Sequence, residues 1–401
     1  MKTVSVPWGM WYGNETYDLT FPDGWDVTVS AMKGGPDIGE AGIRQALAEP
    51  IGAPRLRELA KGRRDAAILI DDLTRPTPSY RILPYILEEL AAGGLGDDKV
   101  RIVCAVASHR PLTRPDFIKK IGLDLLERVE VVNHNAYDNL EFYGVSSQGI
   151  PIFVNREFAL SDLKIAAGMI TPRGSFFGGG AKLLIPGACG RETIFLNHMH
   201  CPGEVFRDHL EEVARMVGLQ YIVNPLINGK GEVMGMVAGD TLKAYERGVE
   251  LGRELYRSIV PAGMDVIVCN SWPKDTEGTQ AGMGQVPLYS AREALSSVKT
   301  VLITAACPEG LGFHSVMMPG TQFRLRSRRS GTGGTDRETR RVQRMLFSPN
   351  LTKYEARAQF GEDIIFCKTW AETQAILERE HGPQAKVCVF PTGAIQYGVP
   401  G

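Results

Sequence analysis

The sequence predicts an α/β protein of two domains built on mixed or parallel sheets, and three observations predict it. Short apolar runs bounded by turn residues alternate with segments whose apolar residues recur at helical spacing. That alternation restarts after about residue 240. A chain of 401 residues also exceeds what one hydrophobic core ordinarily serves. The expected division is an N-terminal domain over 1–250 and a C-terminal domain over 251–401, with the active site in the cleft between them.

The elements follow in order. AAILIDD (66–72) reads as a buried strand, and SYRILPYILEELAAGG (79–94) as a helix stopped by its glycines. VRIVCAVA (100–107) is the next strand and RPDFIKKIGLDLLERV (114–129) the next helix. VEVVNHNA, IPIFVNREF and LKIAAGMI are further strands. NPLINGKGEVMGMVAGD (224–240) reads as a hairpin turning near Asn228-Gly229. A helix over 241–259 then leads to the strands MDVIVCNS, KTVLITAAC, DIIFCK and KVCVFP. Sheets of this kind collect ligands beyond the carboxyl ends of their strands. Three polar strings stand there: Asp71-Asp72, Ser108-His109 and Thr171-Pro172-Arg173.

Composition excludes several function classes. Hydrophobic residues make up 43% and charged ones 23%, and the net charge of −1 gives no field for nucleic acid or a membrane surface. The first residues lack the apolar core of a secretory signal, and no apolar run approaches the roughly 20 residues of a membrane span. Seven cysteines (104, 189, 201, 269, 307, 367, 388) lie scattered, mostly in strand-like runs, without a C-x-x-C pair. Buried reduced thiols in a cytoplasmic protein are the expectation.

The segment FFGGGAKLLIPGACGRETIFLNHMH (176–200) carries the most chemistry. Gly178 to Gly180 let backbone and ligand approach Lys182 closely, because no Cβ stands in the way. A phosphate-binding loop needs Ser or Thr after the lysine, and Leu183 stands there instead. On composition alone the loop is a turn into a helix with a solvated lysine. His198 and His200 follow, and neutral imidazole is the commonest metal ligand. Asp71-Asp72-Leu73-Thr74-Arg75-Pro76-Thr77-Pro78 reads as a rigid polar loop whose arginine can clamp a carboxylate or phosphate. Ala107-Ser108-His109-Arg110-Pro111-Leu112-Thr113 offers a histidine just past a strand. Eight arginines crowd 324–345 around a Gly-Thr stretch; a surface loop, or a cluster for an anionic substrate or partner subunit, fits that composition.

Together the strings D-D-x-T-R-P-T-P, H-R-P-x-T and G-G-x-K-x-x-x-P-G…R-E-T-I…N-H resemble the nickel-pincer nucleotide-dependent lactate racemase family, over nearly the whole chain. The resemblance implies a racemase or epimerase of a 2-hydroxy acid working by hydride transfer. The implied cofactor is a pyridinium mononucleotide carrying two thio-acid groups and nickel, supplied by cofactor-biosynthesis proteins. Lys182 would be its covalent tether and His198 the nickel ligand, with His200 the alternative register. Asp72, Leu73, Thr74 and Arg75 would bind the cofactor, Arg75 also the substrate, and His109 would be a general acid/base.

Two departures from the family pattern bear on the substrate. Where the family has a Pro-His pair supplying a second acid/base, this chain has Pro172-Arg173, nine residues before Lys182. Arginine stays protonated, so Arg173 would anchor substrate, or another residue such as His134 or His314 would supply the second base. Gln280 matches a substrate-contacting position, but Thr279 and Met283 replace the family's tyrosine and lysine. Both changes imply a hydroxy acid other than simple lactate, such as a sugar acid or an aryl or dicarboxylic one. Two other readings stay open: a one-sided redox or elimination enzyme on a hydroxy acid using the same cofactor, and a non-catalytic cofactor- or metabolite-binding protein.

Overall fold

The computed structural model describes residues 1–174, 176–201, 203–316, 318–322 and 342–401. They form two compact units: Gly35–Thr171 with Phe176–Gly252, and Met1–Gly34 with Pro172–Ser175 and Arg253–Gly401. The expected cut at 250/251 falls close to the Gly252–Arg253 division. It differs in assigning the first 34 residues and the 172–175 stretch, which belong with the C-terminal part of the chain. The physical reason is sheet pairing: Asp26–Val29 joins the C-terminal sheet beside Lys386–Phe390, in parallel register.

The unit built on Gly35–Thr171 holds a six-stranded sheet. Its order is Val233–Gly239, Tyr221–Ile227, Leu163–Ala167, Ala66–Ile70, Val100–Cys104, Glu130–Asn133. Every neighbouring pair is parallel except the Tyr221–Ile227/Val233–Gly239 hairpin. Ala66–Ile70 is apolar throughout and wholly buried, as a strand covered on both faces must be. Helix Ser79–Ala92 buries Ile82, Leu83, Ile86, Leu87 and Leu90 at helical spacing against the sheet. Each such burial contributes roughly 1.5–3 kcal/mol. The helix expected over 114–129 is two helices, Arg114–Ile121 and Leu123–Arg128. Gly122 parts them at φ 85°, a left-handed conformation that glycine adopts without steric cost.

The other unit has a fully parallel sheet. Its order is Ile365–Cys367, Gln343–Phe347, Thr300–Thr304, Val266–Asn270, Lys386–Phe390, Asp26–Val29. An antiparallel hairpin, Lys2–Trp8 with Glu15–Phe21, packs Trp8, Tyr17 and Phe21 against Phe347 and Trp370. The helix expected over 241–259 ends at Leu255. Arg257–Val260 is instead a strand paired with Tyr397–Pro400, because β-branched Ile259 and Val260 suit a pleated ladder. The arginine-rich segment lies outside the described residues except at its end, where Gln343–Phe347 forms a strand. Among the described residues no helix is long and apolar enough to cross a membrane.

Candidate active site

In the first sheet the chain runs from Ala66–Ile70 outward to Val100–Cys104, then returns to place Leu163–Ala167 on the opposite side. That reversal is a topological switch point, where sheets of this kind take ligands into a crevice beyond the strands' carboxyl ends. Asp71 and Asp72 leave the central strand there, and both are buried.

Asp72 organises the crevice. Its Oδ1 accepts from Thr74 N at 2.9 Å and Thr74 Oγ1 at 2.5 Å, while Oδ2 stands 2.6 Å from His109 Nδ1. Burial alone would raise its pKa, but His109, Arg75 and Thr74 outweigh that and hold the carboxyl well below the usual range. A carboxylate only accepts, so His109 Nδ1 carries the proton and Nε2 is the nitrogen that exchanges one. Arg75 donates from Nη1 to Thr74 Oγ1 at 2.8 Å and Thr74 O at 3.1 Å. The His109 turn is set by Ala107, which sits at φ 52°, a conformation disfavoured for a residue with a Cβ.

Asp71 takes a different partner. Its Oδ1 lies 2.5 Å from Lys120 Nζ and its Oδ2 accepts from Thr77 Oγ1 at 2.5 Å. Burial pushes the Asp71 carboxyl up, against the pull of Lys120 and Thr77. Lys120 was not singled out in the sequence, although a signal existed: it lies between Phe117 and Ile121 on the helix's buried stripe.

The glycine-rich segment packs alongside. Gly178 N donates to Thr171 O at 2.7 Å and Gly180 N to Asn224 Oδ1 at 2.9 Å. Gly180 sits at φ 56°, and a Cβ there would stand 2.9 Å from Arg207 Nη2 and 3.0 Å from the Tyr245 ring, so a larger residue would be strained and would have to displace the Arg207 guanidinium. Arg207 stacks on Tyr245 at 3.4 Å, pairs with Glu211, and donates to Gly179 O at 3.2 Å. Asn224, Arg207 and Tyr245 escaped the sequence reading; Asn224 alone broke an otherwise apolar strand. Gly187, packed so that a Cβ would lie 2.0 Å from Leu183 O, accepts from Ala107 N at 2.8 Å. That bond joins the Lys182 segment to the His109 turn.

Lys182 lies on the short helix Gly180–Leu183, and its Nζ is 5.9 Å from the Phe206 ring centroid. His198, on helix Arg191–His200, sets its ring 5.7 Å from the same Phe206 ring. The predicted tether and the predicted metal ligand therefore border one aromatic side chain. His198 Nδ1–H donates to Ile194 O at 2.8 Å, which leaves Nε2 as the lone-pair nitrogen. His200 is exposed at the helix end. Among the described residues no three His, Cys, Asp or Glu side chains gather as a metal site.

His134 is not a second base. Its Nε2–H donates to Cys189 O at 2.8 Å, its Nδ1 faces Asn155 Nδ2 at 3.4 Å, and burial pushes its pKa down to about 4. Arg173, Gln280, Thr279, Met283 and His314 lie in the other unit. There Gln280 is buried on helix Gly278–Ala281, and His314 Nδ1 accepts from Val316 N at 3.4 Å.

Residues 12–205 match the family model described as the lactate racemase N-terminal domain. The chain is 29% identical over 288 residues to the lactate racemase of Lactiplantibacillus plantarum, covering 67% of this chain and 66% of that one. It is 27% identical over 333 residues to the lactate racemase of Thermoanaerobacterium thermosaccharolyticum, covering 78% and 76%. The fold superposes on the lactate racemase apoprotein from the latter organism with a TM-score of 0.74 at 22% identity, over the whole of both chains. A Thermotoga maritima protein solved by a structural genomics consortium matches at TM-score 0.67 and 18% identity, covering 92% of this chain and all of that one. Residues 12–205 thus resemble the lactate racemase N-terminal domain in sequence, and the chain shares the fold of a lactate racemase apoprotein.

Proposed function

We propose that this protein is a racemase or epimerase of a 2-hydroxy acid. One observation carries the reading: a carboxylate-held histidine, His109, shares a strand-end crevice and a backbone hydrogen bond with the segment bearing Lys182. His109 Nε2 takes the substrate's hydroxyl proton, and Asp72 stabilises the resulting imidazolium. Arg75 pairs with the substrate carboxylate, which fixes the reacting carbon in place.

The residues present fit a nickel-pincer nucleotide. Lys182 borders the same Phe206 ring as His198, and a single imidazole whose Nδ1 is held by Ile194 O suits a metal whose other ligands belong to the cofactor. Lys182 would hold the group covalently, His198 would ligate its nickel, and Asp72 to Arg75 would contact it. When bound, it supplies the hydride acceptor for the hydroxyl-bearing carbon.

The substrate proposed is bulkier or more acidic than lactate, because Arg173 stands where the family pattern has a histidine, and Thr279 and Met283 where it has a tyrosine and a lysine. The test is a panel of single-enantiomer hydroxy acids, read by chiral chromatography after maturation with the cofactor-synthesis proteins. Appearance of the opposite enantiomer supports the reading, and none on any substrate ends it. Intact mass tests the tether: an adduct on wild type that Lys182→Ala loses.

A second reading has one observation in its favour. His134 is a neutral histidine bonded to a backbone carbonyl, whereas His109 is paired with a carboxylate. A one-sided oxidation needs only that base. Net accumulation of the 2-keto acid in the same panel would favour it over racemisation.

A further inference from the structure

We propose that Lys120 is a positioning residue of this site: its ammonium holds the Asp71–Arg75 turn in the shape that aims Asp72 at His109. The inference rests on the reading of His109 as the acid/base.

Lys120 is fully buried, an uncommon place for a lysine. Its Nζ reaches three acceptors: Asp71 Oδ1 at 2.5 Å, Asp72 O at 3.1 Å and Arg75 O at 2.9 Å. One cation therefore clamps the turn at its first carboxylate, at the residue that grips His109, and at the arginine. Asp71 is itself anchored, since Thr77 Oγ1 bonds its other oxygen and accepts from Met169 N at 3.2 Å. That last contact reaches the chain just past strand Leu163–Ala167, so the clamp spans the strand-end crevice.

A buried ion pair is a poor device for stability alone, because well-packed apolar residues of similar volume do as well or better. The neighbours Phe117 and Ile121 are apolar, and a methionine would continue their stripe. What an apolar residue cannot do is fix two carbonyls of one turn in register with a carboxylate. Holding the carbonyls of Asp72 and Arg75 fixes the main chain from which the Asp72 carboxylate reaches His109 and Thr74. An error of about 1 Å in such a constellation costs on the order of 100-fold in rate.

The test uses the full chain carrying Asp71→Asn with Lys120→Met, which removes the pair without stranding a charge. Thermal unfolding reports whether it folds. The ¹⁵N imidazole signals of His109, read without substrate, report its tautomer. The wild type is expected to show proton on Nδ1, and the variant a mixture of tautomers. In the matured protein kcat is expected to fall on the order of 100-fold, with KM moving much less. A folded variant that keeps the wild-type tautomer and kcat overturns the proposal. If the double variant does not fold, the tautomer is read on Lys120→Arg, whose planar fork cannot meet the three acceptors in one geometry. An unchanged signal there overturns the proposal as well. Should the wild type racemise nothing, the function reading fails, while the tautomer comparison still decides the role of Lys120.

Discussion

Asp72 Oδ2 lies 2.6 Å from His109 Nδ1 with both side chains largely buried, so the carboxylate decides which ring nitrogen carries the proton. The rest of the strand-end crevice is arranged around that contact: Thr74 and Arg75 brace the carboxylate, and Ala107 turns the histidine toward it.

Replacing Asp72 with asparagine keeps the shape but offers His109 an amide donor as readily as an acceptor. The proton then moves to Nε2, and the ring can no longer take one there. Turnover is expected to fall on the order of 10³-fold or more, by analogy with tautomer reversal in histidine–aspartate pairs. Steady-state kinetics of Asp72→Asn beside wild type measure it, and activity within a few fold of wild type would refute the assignment.

Two buried groups predict opposite pH dependences. His134 titrates near 4 in the folded chain and near 6.5 unfolded. Between those values the unfolded state binds more protons, so stability falls as pH drops from about 6.5 to about 4. The shift corresponds to roughly 3 kcal/mol. His134→Gln should flatten that limb in urea titrations at several pH values and leave the pH–rate profile unmoved.

Asp275 carries the reverse sign. Burial lifts its carboxyl to about 6, although Gly9 N and Met10 N donate to it at 2.7 and 3.3 Å. Its unfolded value is near 3.9, so stability declines as pH rises from about 4 to about 6 and is level above. The stability of wild type minus that of Asp275→Asn should fall as pH rises across that window. A constant difference would rule out the titration.

Gly187 has no room for a side chain: a Cβ there would stand 2.7 Å from the Leu183 carbonyl carbon and 2.0 Å from its oxygen. Gly187→Ala is expected to cost roughly 3 kcal/mol in stability. It should also loosen the Ala107 contact, so activity falls further than the loss of folded protein explains. Denaturation and specific activity per folded molecule separate the two effects.

Much of this was legible in the sequence, because strands such as Ala66–Ile70 are apolar runs ending in paired carboxylates, a pattern buried parallel sheets impose. Lys182, His198 and His109 were legible from their strings and do lie in one unit. Long-range pairing was not legible. Nothing local to Asp26–Val29, a short strand with two charged or polar residues in four, says that it pairs with a strand that begins at Lys386. Lys120 was hidden for a related reason: its partners Asp71, Asp72 and Arg75 lie far back along the chain, and a helix lysine is by default a solvated one. The part played by His134 was not legible either, because a histidine's role depends on what its two nitrogens meet, here a carbonyl and an amide from other strands and turns.

The central claim, inversion through a hydride that leaves and returns, is tested most directly with one C2-deuterated enantiomer of a turned-over hydroxy acid. Matured wild-type protein is predicted to yield the opposite enantiomer with its deuterium retained, by mass spectrometry after chiral separation. Opposite enantiomer that has exchanged its deuterium for solvent hydrogen would contradict the account.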